Sequence, residues 1–300
     1  MIIAVCSLSG APGVTSLATA LAACWPSTPL TVPVMVEADA SGGDVAAWHS
    51  IDPDQNPDAG LVSLAAASRA PLQTTMTPQD RTQGDAGETP SAFTPLLRHA
   101  TELPGGLRVV VAPADPLEAG RAVDVIAQTP TLLSSGRVTI VDVGRAVPGS
   151  AGAALLRHAD VAVVLTDLND VGQAQRLRAC APVLASLRQD GVRIGIAVTG
   201  SCPHNDAEVS QVAAQIPVWS RVPWDESGAA LVRGQHRPAA RMRDRLAAWW
   251  ARRGDPESLE WMPLIKAAKA LSELCDDFSG VGVGTSVARP ARRPQEVEAA

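Results

Sequence analysis

The chain has 300 residues, 46% of them hydrophobic, and a formal net charge of −6, enough to bury one large core and too acidic to coat nucleic acid through overall charge. No apolar run reaches the roughly 18 residues of a membrane span, and no positive charge precedes the apolar opening as in a secretory signal, so a cytoplasmic protein with one main domain is expected. The five cysteines, Cys6, Cys24, Cys180, Cys202 and Cys275, are scattered and never in C-x-x-C spacing, which fits reduced thiols better than a disulfide frame or a zinc site.

The opening "MIIAVCSL" predicts a strand over Ile2 to Leu8 that runs into Gly10-Ala11-Pro12-Gly13, with an alanine-rich helix starting near Thr15. A strand, a glycine-rich turn and a helix in that order aim backbone N–H groups at one spot, where the helix dipole also favours negative charge. In the loop G-x-x-x-x-G-K-S/T the lysine reaches the β and γ phosphates and the hydroxyl holds magnesium. Here Gly13 and Thr15 fit, whereas Leu8 stands at the first glycine and Val14 at the lysine. The competing account is that Thr15 and Ser16 simply cap the helix.

Further along, "VPVMVEAD", "LRVVVAP", "RVTIVDVG", "DVAVVLTD", "RIGIAVTG" and "IPVWSRVP" are apolar runs separated by helix-length, alanine- and leucine-rich segments. That pattern predicts an α/β fold, a mostly parallel twisted sheet with helices on both faces. Residues 70–95 are rich in Thr, Gln, Pro and Asp and read as a flexible insertion. The stretch 237–253, "RPAARMRDRLAAWWARR", predicts a basic helix with Leu246, Trp249 and Trp250 on one side. It is a candidate contact for a membrane surface, nucleic acid or an acidic partner, or else a helix that buries its tryptophans and leaves its arginines solvated. A last helix is expected within Pro263 to Phe278, its apolar face in the core, and residues 279–300 read as a disordered tail. The main domain therefore spans 1–278. Neither H-E-x-x-H nor G-x-S-x-G occurs, and the histidines lie apart.

On the loop residues Ser9 to Ser16 the sequence resembles the deviant-loop ATPases of the MinD and ParA type, whose loop reads K-G-G-x-G-K-S/T. Gly10, Gly13 and Thr15 match that pattern, while Ser9 replaces the signature lysine and Val14 the loop lysine. An actinobacterial MinD-like branch, with a loop similar to G-S-P-G-V-T-T, already carries valine there. The resemblance continues over Met1 to Phe278 outside the insertion. "VMVEADASGGDVA" looks like the family's second acidic segment, with Glu37 and Asp39 in its two acidic positions, although turn-bonded loop carboxylates account for Asp39 as well. "TIVDVGR" looks like its Walker B strand, with Asp142 as the acid near magnesium, and "RVPWDESG" is similar to the I-P-x-D stretch that passes the base.

The resemblance implies a P-loop NTPase-like fold that takes ATP or ADP with Mg²⁺. The nucleotide would be cradled by Gly10, Ala11, Pro12, Gly13, Val14, Thr15 and Ser16, and its base would be passed by Pro223 and Asp225. Thr15, Asp39 and Asp142 would organise the metal, with Asp39 as the catalytic carboxylate. Arg145, three residues beyond Asp142, is the arginine best placed by sequence to replace a lost lysine; a surface salt bridge is its plainer role. The only lysines, Lys266 and Lys269, lie far downstream. Losing one partner of a buried charge pair costs roughly 2–5 kcal/mol, about 30-fold to several thousand-fold in affinity. The expectation is a regulatory or scaffolding protein with a protein partner, a homodimer being possible in this family, and with little or no ATP hydrolysis.

Overall fold

Ile2–Ser7, the first apolar run, forms β1, which is buried from Ile3 onward. Its alternate residues serve two separate cores: Ile3 and Val5 pack with one apolar cluster, Ala4 and Cys6 with the other. A strand covered on both faces has no polar side, hence the continuous apolar run. The computed structural model describes residues 1–10, 12–26, 32–52, 55–68, 95–235 and 262–278. The 237–253 stretch and the 279–300 tail lie outside the described residues, as does the insertion except for Pro95.

After β1 come α1 (Val14–Ala23), β2 (Val34–Glu37), α2 (Val45–Trp48), α3 (Leu61–Ala67), α4 (Pro95–Arg98), β3 (Thr101–Glu102), β4 (Arg108–Val110), α5 (Pro116–Gln128) and β5 (Thr139–Arg145). The second half adds α6 (Ala151–Leu156), β6 (Val161–Asp167), α7 (Val171–Gln189), β7 (Arg193–Thr199), α8 (Asp206–Val212), β8 (Val218–Val222), α9 (Glu226–Val232) and α10 (Pro263–Asp277). The strands form one sheet in the order β3-β4-β2-β5-β1-β6-β7-β8.

All seven expected strands are present and parallel to one another. The eighth, β3, was not anticipated. It is two residues long, pairs antiparallel with β4, and turns back through Gly105 and Gly106, whose φ of 99° and 87° only glycine adopts without strain.

Residues of α1 and α10, including Leu17, Leu21, Ile265 and Leu271, belong to the cluster of Ile3 and Val5. Residues of α3, α5, α6 and α7, including Leu64, Ile126, Leu155 and Leu184, belong to the cluster of Ala4 and Cys6. Fully burying a leucine such as Leu17 or Leu21 is worth about 1.5–3 kcal/mol. The last helix therefore does what its apolar spacing predicted. Among the described residues, no helix is long and apolar enough to cross a membrane. All five cysteines are free thiols, and burial pushes Cys6 and Cys275 up to about 12, leaving both unreactive.

β1 has β5 on one side and β6 on the other, so the chain order reverses around it. In open α/β sheets the crevice beyond the carboxyl ends of such strands is where ligands bind.

Candidate functional site

The turn after β1 is shaped by two glycines in the left-handed region, Gly10 at φ 66° and Gly13 at φ 96°. Gly13 is the N-cap of α1, and no side chain caps this helix. Thr15 and Ser16 thus do not act as caps, and the helix begins at Val14. Leu17 donates the helix's first main-chain hydrogen bond, to Gly13 O at 2.9 Å, so among the described residues the N–H groups from Gly13 to Ser16 are left to face an anion. Ser7 Oγ braces the turn by donating to Gly10 O at 3.1 Å. Ala11 lies outside the described residues.

Neither position that the lysines would occupy faces the crevice freely. Val14 is 5% exposed and packs with Val5, Leu17 and Leu165 in the core, and Ser9 is 3% exposed. Of the two lysines in the chain, Lys269 acts on the Cys24 thiol, beyond the far end of α1.

The carboxylates meet at the end of β2 and in the middle of β5. Asp142 is fully buried; its Oδ1 accepts from Gly144 N at 2.9 Å, and its Oδ2 is buried without a hydrogen-bond partner. Burial, opposed by the nearby Thr15 hydroxyl and reinforced by Glu37 and Asp39, raises its pKa to about 7. Thr15 is near enough to lower that value but is not placed to satisfy Oδ2.

Asp39 sits across from it. Its Oδ1 accepts from Ser41 N at 2.8 Å, the turn-bonding expected of a loop carboxylate. Its Oδ2 lies so close over Gly144 that a Cβ added there would stand 2.0 Å away. Gly144, at φ 60°, lets the two acidic segments approach.

Glu37 has a different task. Its Oε1 accepts from Asp44 N and Val45 N at 2.7 and 3.1 Å, and its Oε2 from Ala112 N at 2.9 Å. Burial still outweighs these three bonds and raises its pKa. With every near donor engaged, Glu37 ties β2 to α2 and to the end of β4, and is a structural carboxylate.

A divalent cation fits this arrangement. A buried carboxylate oxygen without a partner, beside a second carboxylate and a hydroxyl, is short of positive charge. Among the described residues no cluster of three or more His, Cys, Asp or Glu side chains forms a metal cage of its own. Mg²⁺ needs none, since it takes one or two carboxylates together with phosphate and water oxygens.

Arg145 ends β5 beside Ser7 in the register. It is exposed and forms no ion pair with any described residue, so its plainer role as a salt-bridge partner has no support among them.

On the other side of the loop a cavity of about 210 Å³ lies between α1, α9 and the segment after β8. Pro12, Gly13, Ser16, Pro223 and Asp225 all line it, so residues far apart in the chain converge. Asp225 is occupied structurally: its Oδ1 accepts from Gly228 N at 2.9 Å, capping α9, and its Oδ2 accepts from Leu264 N at 3.1 Å, anchoring α10.

Three further residues went unnoticed in the sequence. Trp224 lines the cavity and is 73% exposed. Arg233 lines it from the end of α9, with its Nε buried and unpartnered and its guanidinium 5.1 Å from the centre of the Trp48 ring. Gln173 accepts from Asp167 N at 3.0 Å and holds its amide nitrogen 3.6 Å from where a Gly10 Cβ would lie. Trp224 stands within the quoted "RVPWDESG" and had a local signal. Arg233 and Gln173 had none.

No protein-family model matches the sequence, and no curated protein matches it significantly. Solved structures do resemble it. The ParA family ATPase from Chlorobium tepidum superposes with a TM-score of 0.61 at 16% identity, covering 91% of this chain and 98% of that one. MinD from Pyrococcus horikoshii, complexed with Mg-ADP, gives 0.58 at 12% identity over 93% and 97% of the two chains. The ATP complex of McdA from Cyanothece gives 0.56 at 13% over 90% and 95%. At such identities the likeness is one of fold: the α/β architecture is that of the ParA and MinD P-loop ATPases.

Proposed function

We propose that this chain is a MinD/ParA-like nucleotide-site protein that has lost both lysines of its phosphate loop and works mainly through a protein partner. It acts as a regulatory or scaffolding member of a positioning, partition or secretion-type system, with little or no ATP hydrolysis. The observation that carries this reading is the contrast at the loop: Val14 and Ser9 are buried where the two cations would stand, while Thr15, Asp39 and Asp142 keep a metal-ready arrangement.

In this reading the backbone N–H groups at Gly13 and the first turn of α1 receive phosphate, and Thr15, Asp39 and Asp142 hold Mg²⁺. The metal supplies the positive charge that the loop lacks. Asp39, half-buried beside Gly144, is the carboxylate placed to orient a water. The ParA-, MinD- and McdA-type structures of the same fold include complexes with Mg-ADP and with ATP, which supports nucleotide as the ligand here.

One observation favours a second reading, a working Mg-dependent ATPase. Arg145 is exposed at the end of β5 without an ion pair among the described residues, and is therefore available as a substitute cation. Contacts of the 237–253 stretch with a membrane surface or nucleic acid belong to a segment outside the described residues.

Calorimetric titration with ATP and ADP at millimolar Mg²⁺ tests the proposal. The expected result is weak binding that requires the metal, without turnover. A sub-micromolar dissociation constant, or steady hydrolysis abolished by Arg145→Ala, overturns it in favour of the second reading.

A further inference from the structure

The turn after β1 meets two different neighbours. Pro12, Gly13 and Ser16 border the cavity beside α9, which no residue of α7 lines. Gly10, exposed at the start of the turn, faces α7 instead. A Cβ built on it would meet Gln173 Nε2 at 3.6 Å and no other described side chain within 4 Å.

The orientation of that amide is fixed. Asp170 caps α7 by accepting from Gly172 N at 2.8 Å, which sets Gln173 in the first turn of the helix. Gln173 Oε1 accepts from Asp167 N, at the end of β6, at 3.0 Å. A backbone N–H only donates, so the amide oxygen is held at β6 and the NH₂ group is the one turned to the loop. No described residue accepts from Nε2, and Gly10 O is already taken by Ser7 Oγ at 3.1 Å. A group with two protons to donate thus stands, half-buried, beside a glycine turn with no acceptor among the described residues.

Ser9 and Val14 bring no positive charge to this turn, so its side-chain donor is neutral, and that changes what it can distinguish. An ammonium attracts every phosphate within several ångströms, since the Coulomb energy falls only as the inverse of distance. An amide rewards only the oxygen it touches. With the base end of the ligand at the cavity and the N–H groups of Gly13 to Ser16 under its phosphates, Gly10 is the far end of the cradle, where the last phosphate of a triphosphate arrives and a diphosphate does not.

We propose that the Gln173 amide tells a triphosphate from a diphosphate, donating from Nε2 to an oxygen of the terminal phosphate beside Gly10. This rests on the nucleotide-site reading above and names the side chain on which its selectivity depends. A hydrogen bond to a charged oxygen is worth roughly 10- to 150-fold in affinity, and only the triphosphate makes it.

The test is titration of the full chain with ADP and with the β,γ-imido analogue of ATP, each in millimolar Mg²⁺, followed by NMR so that millimolar binding is read. The side-chain NH₂ signals of Gln173, identified by their loss in Gln173→Glu, should move with the analogue and stay in place with ADP. Gln173→Glu keeps an oxygen for Asp167 N and replaces the donor by a carboxylate oxygen. It should lower the ratio of analogue to ADP affinity by roughly 10- to 150-fold with ADP binding little changed, and Gln173→Met, without the added charge, should lower it less. A ratio unchanged in Gln173→Glu overturns the inference, as do side-chain signals that move alike with both nucleotides or with neither. Those outcomes leave the nucleotide-site reading standing as long as the wild type binds either nucleotide. A wild type that binds neither at millimolar concentration defeats that reading, and the inference falls with it.

Discussion

Asp142 and Val14 are both almost completely buried beside the same loop, at 0% and 5% exposure, and burial acts on them in opposite directions. For Val14, removing a branched apolar side chain from water stabilises the fold. For Asp142, it penalises the ionised carboxylate, raises the pKa to about 7 and leaves Oδ2 without a partner. Packing alone accounts for a valine where the lysine would stand. It does not account for a carboxylate kept within β5 at a cost in stability. The difference separates two positions of the loop region: the one where a lysine would stand has been given over to the core, and the one proposed for a metal has not.

The largest effect should come from reversing the first half of that contrast. Val14→Lys is expected to raise Mg-ATP affinity by roughly 30-fold or more, measured by calorimetry. The longer side chain in a packed site should cost about 1–3 kcal/mol of stability in a denaturant melt. The double change Ser9→Lys with Val14→Lys should be required for ATP-driven dimerisation, read by light scattering. If affinity does not move, the turn at Gly10 to Gly13 is not a phosphate cradle.

Asp142→Asn probes the other half. Because the folded pKa of about 7 lies above the ordinary aspartate value of 3.8, the folded state holds this proton more tightly than the unfolded chain. The resulting stabilisation is complete below about pH 4 and is lost as pH rises through 7. The wild-type protein should therefore fall behind Asp142→Asn between pH 4 and pH 8, by up to about 4 kcal/mol, and only the wild type should gain nucleotide affinity from Mg²⁺. Parallel stability curves for the two proteins across that range would show that the carboxylate is not strained.

A smaller effect is expected at Gly144, whose positive φ and contact with Asp39 bring the two acids together. Gly144→Ala should cost about 1–3 kcal/mol and weaken the magnesium effect. Gly136→Ala, at a similar φ of 66° but with nothing within 4 Å of the added Cβ, should lose only the backbone part. Equal losses would mean that the Asp39 contact is unimportant.

Arg145→Ala is the mildest. The side chain is exposed, so the melting temperature should not change. If it stands in for a lysine, Mg-ATP affinity should drop roughly tenfold; unchanged affinity would assign phosphate binding to the metal and neutral donors alone.

Much of the fold was legible along the chain. Seven apolar runs became seven parallel strands, since a strand buried on both faces leaves a continuous signal. β3 escaped because two residues, Thr101 and Glu102, are too short to show any period. The convergence of Thr15, Asp39 and Asp142 was also readable, because they lie beyond β1, beyond β2 and within β5, and parallel strands bring their carboxyl ends to one side. The division of labour among the acids was not. Glu37 and Asp39 are two residues apart in one segment, yet one is held by three backbone donors and the other faces Gly144. Asp225 likewise lies where the base would pass while bonding Gly228 and Leu264 across two helices.

The sequence by itself determined the seven parallel strands, the glycine-shaped turn and the absence of lysine at positions 9 and 14, since these depend on local periodicity, backbone preference and which charges exist at all. Only the tertiary structure decided that Asp142 keeps an unpartnered oxygen, that Val14 belongs to the core, and that Trp224 and Arg233 border one cavity. Those properties come from desolvation and hydrogen bonding among side chains on distant strands and helices, and a group's neighbours in space are set by packing, not by its place in the chain.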